Sequence, residues 1–149
     1  MIKVPEATRG VTTVVNVKVG HIRPGHDNLQ EWCEDPKNVY IGRKGIVFIA
    51  DENGDKERFP KQDSIWANPF KIPAKGGEED RKSVITQYEE YIREKLDDGD
   101  IPAFELEALR NKNLGCWCVD TPVTYNPDRD SWRCHGQVLL QLLEEHQAS

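Results

Sequence analysis

No run in this chain of 149 residues approaches the roughly 20 consecutive apolar residues that a membrane-spanning helix needs. The first residues, MIKVPEATRG, also lack the apolar core of a signal peptide, so an unprocessed cytoplasmic protein with no membrane attachment is expected. Positive charge is in deficit: 20 Lys and Arg stand against 26 Asp and Glu, a formal net charge of −6. Such a chain has no surface-wide positive field with which to coat duplex nucleic acid, and any contact with phosphate falls to a few clustered arginines. Familiar catalytic signatures are missing too. No Gly-x-x-x-x-Gly-Lys-Ser/Thr pattern surrounds Gly76 and Gly77, and no serine occupies a Gly-x-Ser-x-Gly elbow. Internal repeats and low-complexity segments are absent, and the length suits one domain, residues 1–149.

What is there reads as alternating strands and helices. Thr12 to Val19 (TTVVNVKV) is β-branched and alternating, a strand with Val15 and Val17 on one face. Gly20 to Lys37 shows no sustained period and reads as an irregular surface loop with room for one helical turn. Asn38 to Ile41 returns to strand character. Gly45 to Ala50 and Lys56 to Phe59 flank Asn53-Gly54, a strong hairpin signal. From Glu79 to Leu96 the residues Val84, Ile85, Tyr88, Tyr91, Ile92 and Leu96 recur at helical spacing. Asp97 to Asp100 stops that helix, and Pro102 opens a shorter one carrying Phe104, Leu106 and Leu109. Leu114 to Cys118 has the length of a buried strand, and Val138, Leu139, Leu142 and Leu143 form a last amphipathic helix. This order predicts a small single-domain α/β sandwich with a mixed sheet, a β-hairpin insertion and three helices.

The sequence holds only four cysteines, and three crowd into its last third beside a histidine. Cys116, Cys118, Cys134 and His135 supply three thiols and an imidazole, the ligand set of a tetrahedral zinc site. On a strand, Cys116 and Cys118 point to one face while Trp117 turns away. Cys134 and His135 are adjacent and converge on one ion only if the backbone bends there, as at a helix start. Two other readings stand beside zinc. Cysteine is among the most buried residue types and packs as a small hydrophobe. Alternatively, Cys134 at a helix amino terminus feels the positive end of the dipole, which favours a nucleophilic thiolate. Cys33, alone beside Trp32, reads as core, with a substitute ligand as the alternative if its loop folds back.

Arg43 follows a strand and a glycine, where the backbone leaves a sheet and pockets of α/β folds open. Its guanidinium suits phosphate or carboxylate. Asn68 is held extended by Pro69, so its amide can face the same rim, and Arg81 lies in the first turn of the long helix, where a cation opposes the dipole. Taken singly, each arginine reads as a solvated charge or the partner of one of the many acids, and only together as an anion site. His21 and His26 read as loop histidines, and Glu78, Glu79 and Asp80 as acids that favour a helix start.

Together YIGR (Tyr40 to Arg43), NPF (Asn68 to Phe70), the following helix with Arg81, Tyr88 and Tyr91, LGCWC (Leu114 to Cys118) and CHG (Cys134 to Gly136) resemble one family, the domain of unknown function numbered 4326. The resemblance runs from about Thr12 to Glu145. Its members look like small stand-alone proteins of microbes and their viruses, and it implies that Arg43, Asn68, Cys116, Cys118, Cys134 and His135 act together. Two segments depart from the pattern. Lys44 to Asp63 separates YIGR from NPF, and Val119 to Arg133 separates CWC from CHG. The expected function is a zinc-binding α/β domain that binds or processes an anionic, nucleotide-related ligand through Arg43, Asn68 and Arg81. The alternative is a non-enzymatic, zinc-stapled interaction module whose acidic surface, with Trp32 and Trp66 in aromatic loops, meets a protein partner such as a host factor. Thiol chemistry at Cys134 is the third reading.

Overall fold

The computed structural model describes residues 12–22, 24–50, 52–70, 77–117, 119 and 122–148. Along them run β1 (Thr13–Asn16), α1 (Val19–Ile22), α2 (Leu29–Glu34), β2 (Asn38–Tyr40), β3 (Val47–Ala50), β4 (Lys56–Phe59), α3 (Glu78–Asp97), α4 (Ala103–Glu107), β5 (Asn113–Cys116) and α5 (His135–Ala148). The last strand of the sequence is central in the main sheet: β5 lies between β1 and β2 and pairs parallel with both. Val14, Leu114 and Val39 stand in register across the three strands. Because side chains alternate, these residues, with Cys116 and Ile41 two positions on, face one layer, and Val15, Gly115 and Tyr40 face the other.

The two layers are two cores. On the first face α3, α4 and α5 bury Ile85, Tyr88, Ile92, Leu106, Val138 and Leu139 against Val14, Leu114 and Cys116. On the second, α1 and α2 bring Ile22, Leu29 and Trp32 onto Val17, with Val15, Tyr40 and Val47 packed alongside. Gly115 permits that contact, since a Cβ there would lie 2.5 Å from the Trp32 ring and 2.6 Å from Val17. The fold is therefore the expected α/β sandwich, with Val15 and Val17 in one core as the alternation predicts. The expected hairpin is β3–β4, a separate antiparallel pair whose turn carries Gly54 at φ +84°. Antiparallel pairing also reaches the main sheet, because Val123 exchanges two backbone hydrogen bonds with Val14, at 2.8 and 2.9 Å, along the outer side of β1.

The three helices expected from periodicity are α3, α4 and α5. At the start of α3 the Gly77 N–H donates to the Asp80 carboxylate at 3.1 Å, and Gly99, at φ +78°, follows its end. The segment 20–37, read as an irregular loop with room for one helical turn, holds most of α1 and all of α2. Asn28 caps α2 by accepting the Glu31 N–H at 2.9 Å, and Leu29 and Trp32, three apart, are its buried pair. Four and six residues are too few for a period to show in sequence. Among the described residues no helix is long and apolar enough to cross a membrane.

Candidate functional site

At the carboxyl end of the parallel sheet, the last residue of β5 meets the first turn of α5. The Cys116 and Cys134 sulfurs are 2.9 Å apart, and Cys134 Sγ lies 3.7 Å from His135 Nδ1. All three residues are buried. The approach depends on Gly136: a Cβ there would sit 2.9 Å from both Ile41 Cδ1 and Val14 Cγ2, so a larger residue would lift α5 off the sheet.

The start of α5 is built by Cys134 and Gln137. The Cys134 sulfur accepts the Gly136 N–H at 3.4 Å, while the Gln137 side-chain oxygen accepts the Cys134 N–H at 3.1 Å. This is the reciprocal logic of a capping box, with cysteine in place of serine or threonine. It holds the Cys134 sulfur at the positive end of a helix of 14 residues.

His135 is oriented from behind. Its Nε2 lies 2.7 Å from the Ile41 carbonyl oxygen. A carbonyl can only accept, so Nε2 carries the proton and donates, which leaves the lone pair of the neutral ring on Nδ1, the nitrogen 3.7 Å from Cys134 Sγ. Backbone support of this kind is what metal-ligating histidines use to fix their tautomer. The Tyr88 ring closes one side, edge-on to the imidazole at 4.9 Å between centroids, and its hydroxyl donates to the Trp66 carbonyl at 2.8 Å. Burial pushes the Tyr88 phenol well above its ordinary pKa, with the nearby Cys134 adding to the shift, so it is a neutral donor.

Two thiols and an imidazole are zinc-type donors in kind. Among the described residues no group of three His, Cys, Asp or Glu side chains is arranged to hold a metal ion. Cys118, the fourth expected donor, lies outside the described residues. Cys33 is not part of the cluster. It packs with the second core, and burial, followed by the charge of Glu34, pushes its thiol up to about 11.

Arg43 and Asn68 do come together, though not as two side chains around an empty rim. Arg43 Nε donates to the Asn68 carbonyl at 2.8 Å, and Nη2 to the Phe70 carbonyl at 2.9 Å. Asn68 Oδ1 accepts the Phe70 N–H at 2.8 Å, the turn that an asparagine before proline favours. The guanidinium therefore clasps the Asn68–Phe70 turn, retains further N–H donors, and has no carboxylate partner among the described residues. Arg81, in the first turn of α3, is half-buried, and its side chain has no hydrogen-bond or ion-pair partner among the described residues. No such contact links it to Arg43. His26 pairs loosely with Asp35 at 3.6 Å, while His21 is exposed.

Backbone groups and second partners escape a reading by residue type. The Ile41 carbonyl, Tyr88 and Gln137 were not legible as site residues, although Cys-x-x-Gln is the spacing of a capping box. Another such link joins two segments: the Tyr40 hydroxyl donates to the Arg43 carbonyl at 2.8 Å and accepts the Trp117 indole N–H at 3.0 Å. The segments YIGR, NPF, CWC and CHG are thus tied to one end of the sheet through Ile41–His135, Arg43–Asn68, Tyr40–Trp117 and Cys116–Cys134.

No curated protein and no solved structure matches the chain. Residues 26–145, which contain every one of these ties, match a family described as Domain of unknown function (DUF4326), and the chain belongs to that family.

Proposed function

We propose that this protein is a zinc-stapled α/β domain that binds a small anionic, nucleotide-class ligand at the carboxyl end of its parallel sheet. The observation that carries the reading is the His135 imidazole. Its Nε2–H is spent on the Ile41 carbonyl, and its Nδ1 lies 3.7 Å from the Cys134 sulfur, which itself meets the Cys116 sulfur at 2.9 Å. Zinc-bound thiolates at about 2.3 Å from the metal stand roughly 3.7 Å apart, so loading the site separates the sulfurs by less than an ångström. Cys116, Cys134 and His135, completed by Cys118, close a four-ligand shell. That is the form of a structural ion, joining β5 to α5, rather than one with an open position for water. Support for the anion comes from Arg43, a half-buried guanidinium whose described bonds go only to carbonyls.

Metal analysis of the protein purified without added metal tests the staple. The expected result is one zinc per chain, lost in Cys116→Ser, Cys134→Ser and His135→Ala, with a fall in thermal stability when a chelator strips it. Metal-free protein that is equally stable would reduce the cluster to packed thiols. The anion is tested by calorimetry with inorganic phosphate on Arg43→Lys, which keeps the charge and loses the fork.

A second reading, an interaction module, rests on a separate observation. Ile46, Phe48 and Ile65 are 46%, 59% and 49% exposed, an apolar set on and beside the β3–β4 hairpin. A protein partner whose binding is lost in Phe48→Asp and kept in Arg43→Lys would favour it.

A further inference from the structure

Beside the amino terminus of α5 opens a cleft of about 560 Å³, within the range of small-molecule sites. Every described residue of its lining except Gln137 comes from the segment 119–133, the stretch that separates CWC from CHG. Val119 and Val123 supply its apolar part, and Thr124, Tyr125, Arg133 and Gln137 its unspent polar groups.

Gln137 gives the cleft a defined chemistry. The residue is only 5% exposed. Its Oε1 accepts two backbone N–H groups, from Arg133 at 2.5 Å and from Cys134 at 3.1 Å. Both partners are donors, so the amide cannot be turned over, and Nε2 with its two N–H donors is the free end. No described residue accepts from Nε2, yet no polar side-chain atom among the described residues is both fully buried and unpaired. Nε2 is therefore open to the cleft that Gln137 lines: a nearly buried donor, fixed in orientation and without a protein acceptor.

The charge of the lining points the same way. In a chain of net charge −6 the described residues of the lining include one arginine and neither Asp nor Glu. Of the described acids nearby, Glu89 pairs with Arg129 and Arg93, Asp130 with Lys82, and Asp128 accepts the Asp130 N–H. Arg133 has no carboxylate partner among the described residues, and Tyr125 presents a ring that is 37% exposed. The wall thus offers a cation for an anionic group, an aromatic face for a flat ring and an amide donor for an acceptor on that ring.

From this we infer that the cleft is a binding site for a nucleoside monophosphate. Arg133 holds the phosphate, Tyr125 stacks on the base, and Gln137 Nε2 donates to a ring nitrogen or carbonyl. The site shares no residue with the Arg43 rim and touches the cysteine cluster only through Gln137, whose Oε1 accepts the Cys134 N–H, and it goes beyond the reading proposed for them.

Calorimetric titration of the full chain, as purified, with AMP, GMP, CMP and UMP tests the inference, with adenosine and inorganic phosphate as partial probes. Gln137→Glu is the informative variant, because glutamate keeps the acceptor that caps α5 and turns the donor facing the cleft into a carboxylate. Arg133→Ala removes an exposed side chain and leaves the core alone. At least one mononucleotide should bind, adenosine and phosphate each at least about tenfold more weakly, and both variants should lose about tenfold or more with unchanged thermal unfolding. Absence of binding by all four mononucleotides overturns the inference, as does binding that both variants retain. Loss in Arg43→Lys with retention in Arg133→Ala would move the ligand to the Arg43 rim and sustain the earlier reading in place of this one. If Gln137→Glu does not fold, Arg133→Ala decides alone.

Discussion

Tyr88 and His135 meet edge to face at 4.9 Å, and the hydroxyl of the same tyrosine ends on the Trp66 carbonyl. One fully buried side chain thus joins three elements: the face of α3, the first turn of α5 and the segment leading to the Asn68–Phe70 turn. Helical periodicity places Tyr88 in the core, but it does not explain why a tyrosine is there and not a leucine. The ring packs the imidazole, and the hydroxyl satisfies a carbonyl that would otherwise be buried without a donor.

Tyr88→Phe separates these two roles. It keeps the ring and removes the donor to Trp66, which should cost about 1–3 kcal/mol in chemical denaturation, the penalty for a buried acceptor left unpaired. The metal content and the environment of His135 should not change. A variant as stable as the parent would show that the Trp66 carbonyl finds another donor, and the tie between α3 and the segment before Asn68 would then rest on packing alone.

The pattern of what was legible follows from what sequence encodes directly. The period of α3 from Val84 to Ile92 and the alternation of β1 are one-dimensional signals, and both survive into the structure. The Asn53-Gly54 turn has local chemistry of its own. The chemical types at the site, thiols, imidazole and guanidinium, could also be read from composition and clustering. Their partners could not. Ile41 serves through its carbonyl and Arg43 through bonds to two other carbonyls, and backbone groups carry no residue identity. That β5, last in sequence, is central in the sheet is a consequence of long-range packing, with Gly115 fitted to Trp32 and Gly136 to Ile41.

A second prediction concerns acid. Arg93 binds Glu145 through two parallel hydrogen bonds at 2.9 and 2.7 Å, which ties α3 to α5 on the solvent side. These bonds lower the Glu145 carboxyl from 4.5 to about 2. A carboxylate whose pKa is depressed on folding adds stability that is full above its unfolded value and is lost as pH falls through the folded one. The Glu145 share should therefore disappear between about pH 4.5 and pH 2. Its side chain is 43% exposed, so solvent screening holds the contribution to about 1 kcal/mol or less. Urea unfolding of Glu145→Gln and its parent, compared at pH 6 and pH 2.5, should show a difference at pH 6 that shrinks at pH 2.5. A constant difference across that range would mean that Glu145 contributes through packing and not through its charge.

The last prediction separates the cysteines by reactivity. Cys33 is half-buried in α2, and its thiol is raised to about 11 by burial and by Glu34. At pH 8 only about one part in a thousand is thiolate, and the thiolate is the nucleophile. Cys134 is buried more deeply still, but it sits at the amino end of α5 with its sulfur accepting the Gly136 N–H, and the helix dipole there works against the cost of burying the anion. Access and charge therefore work against each other, since Cys134 is buried and, in the proposed function, held by metal. Treatment of the folded protein with iodoacetamide at pH 8, read residue by residue by mass spectrometry, should leave both cysteines almost unmodified. After chelation Cys134 should react at least about tenfold faster than Cys33, because the dipole that favours its thiolate remains while the protecting ion is gone. Fast labelling of Cys33 in either state would contradict the inert environment assigned to it. Rapid labelling of Cys134 before chelation would mean that the thiol acts as a nucleophile in the folded protein and is not a metal ligand.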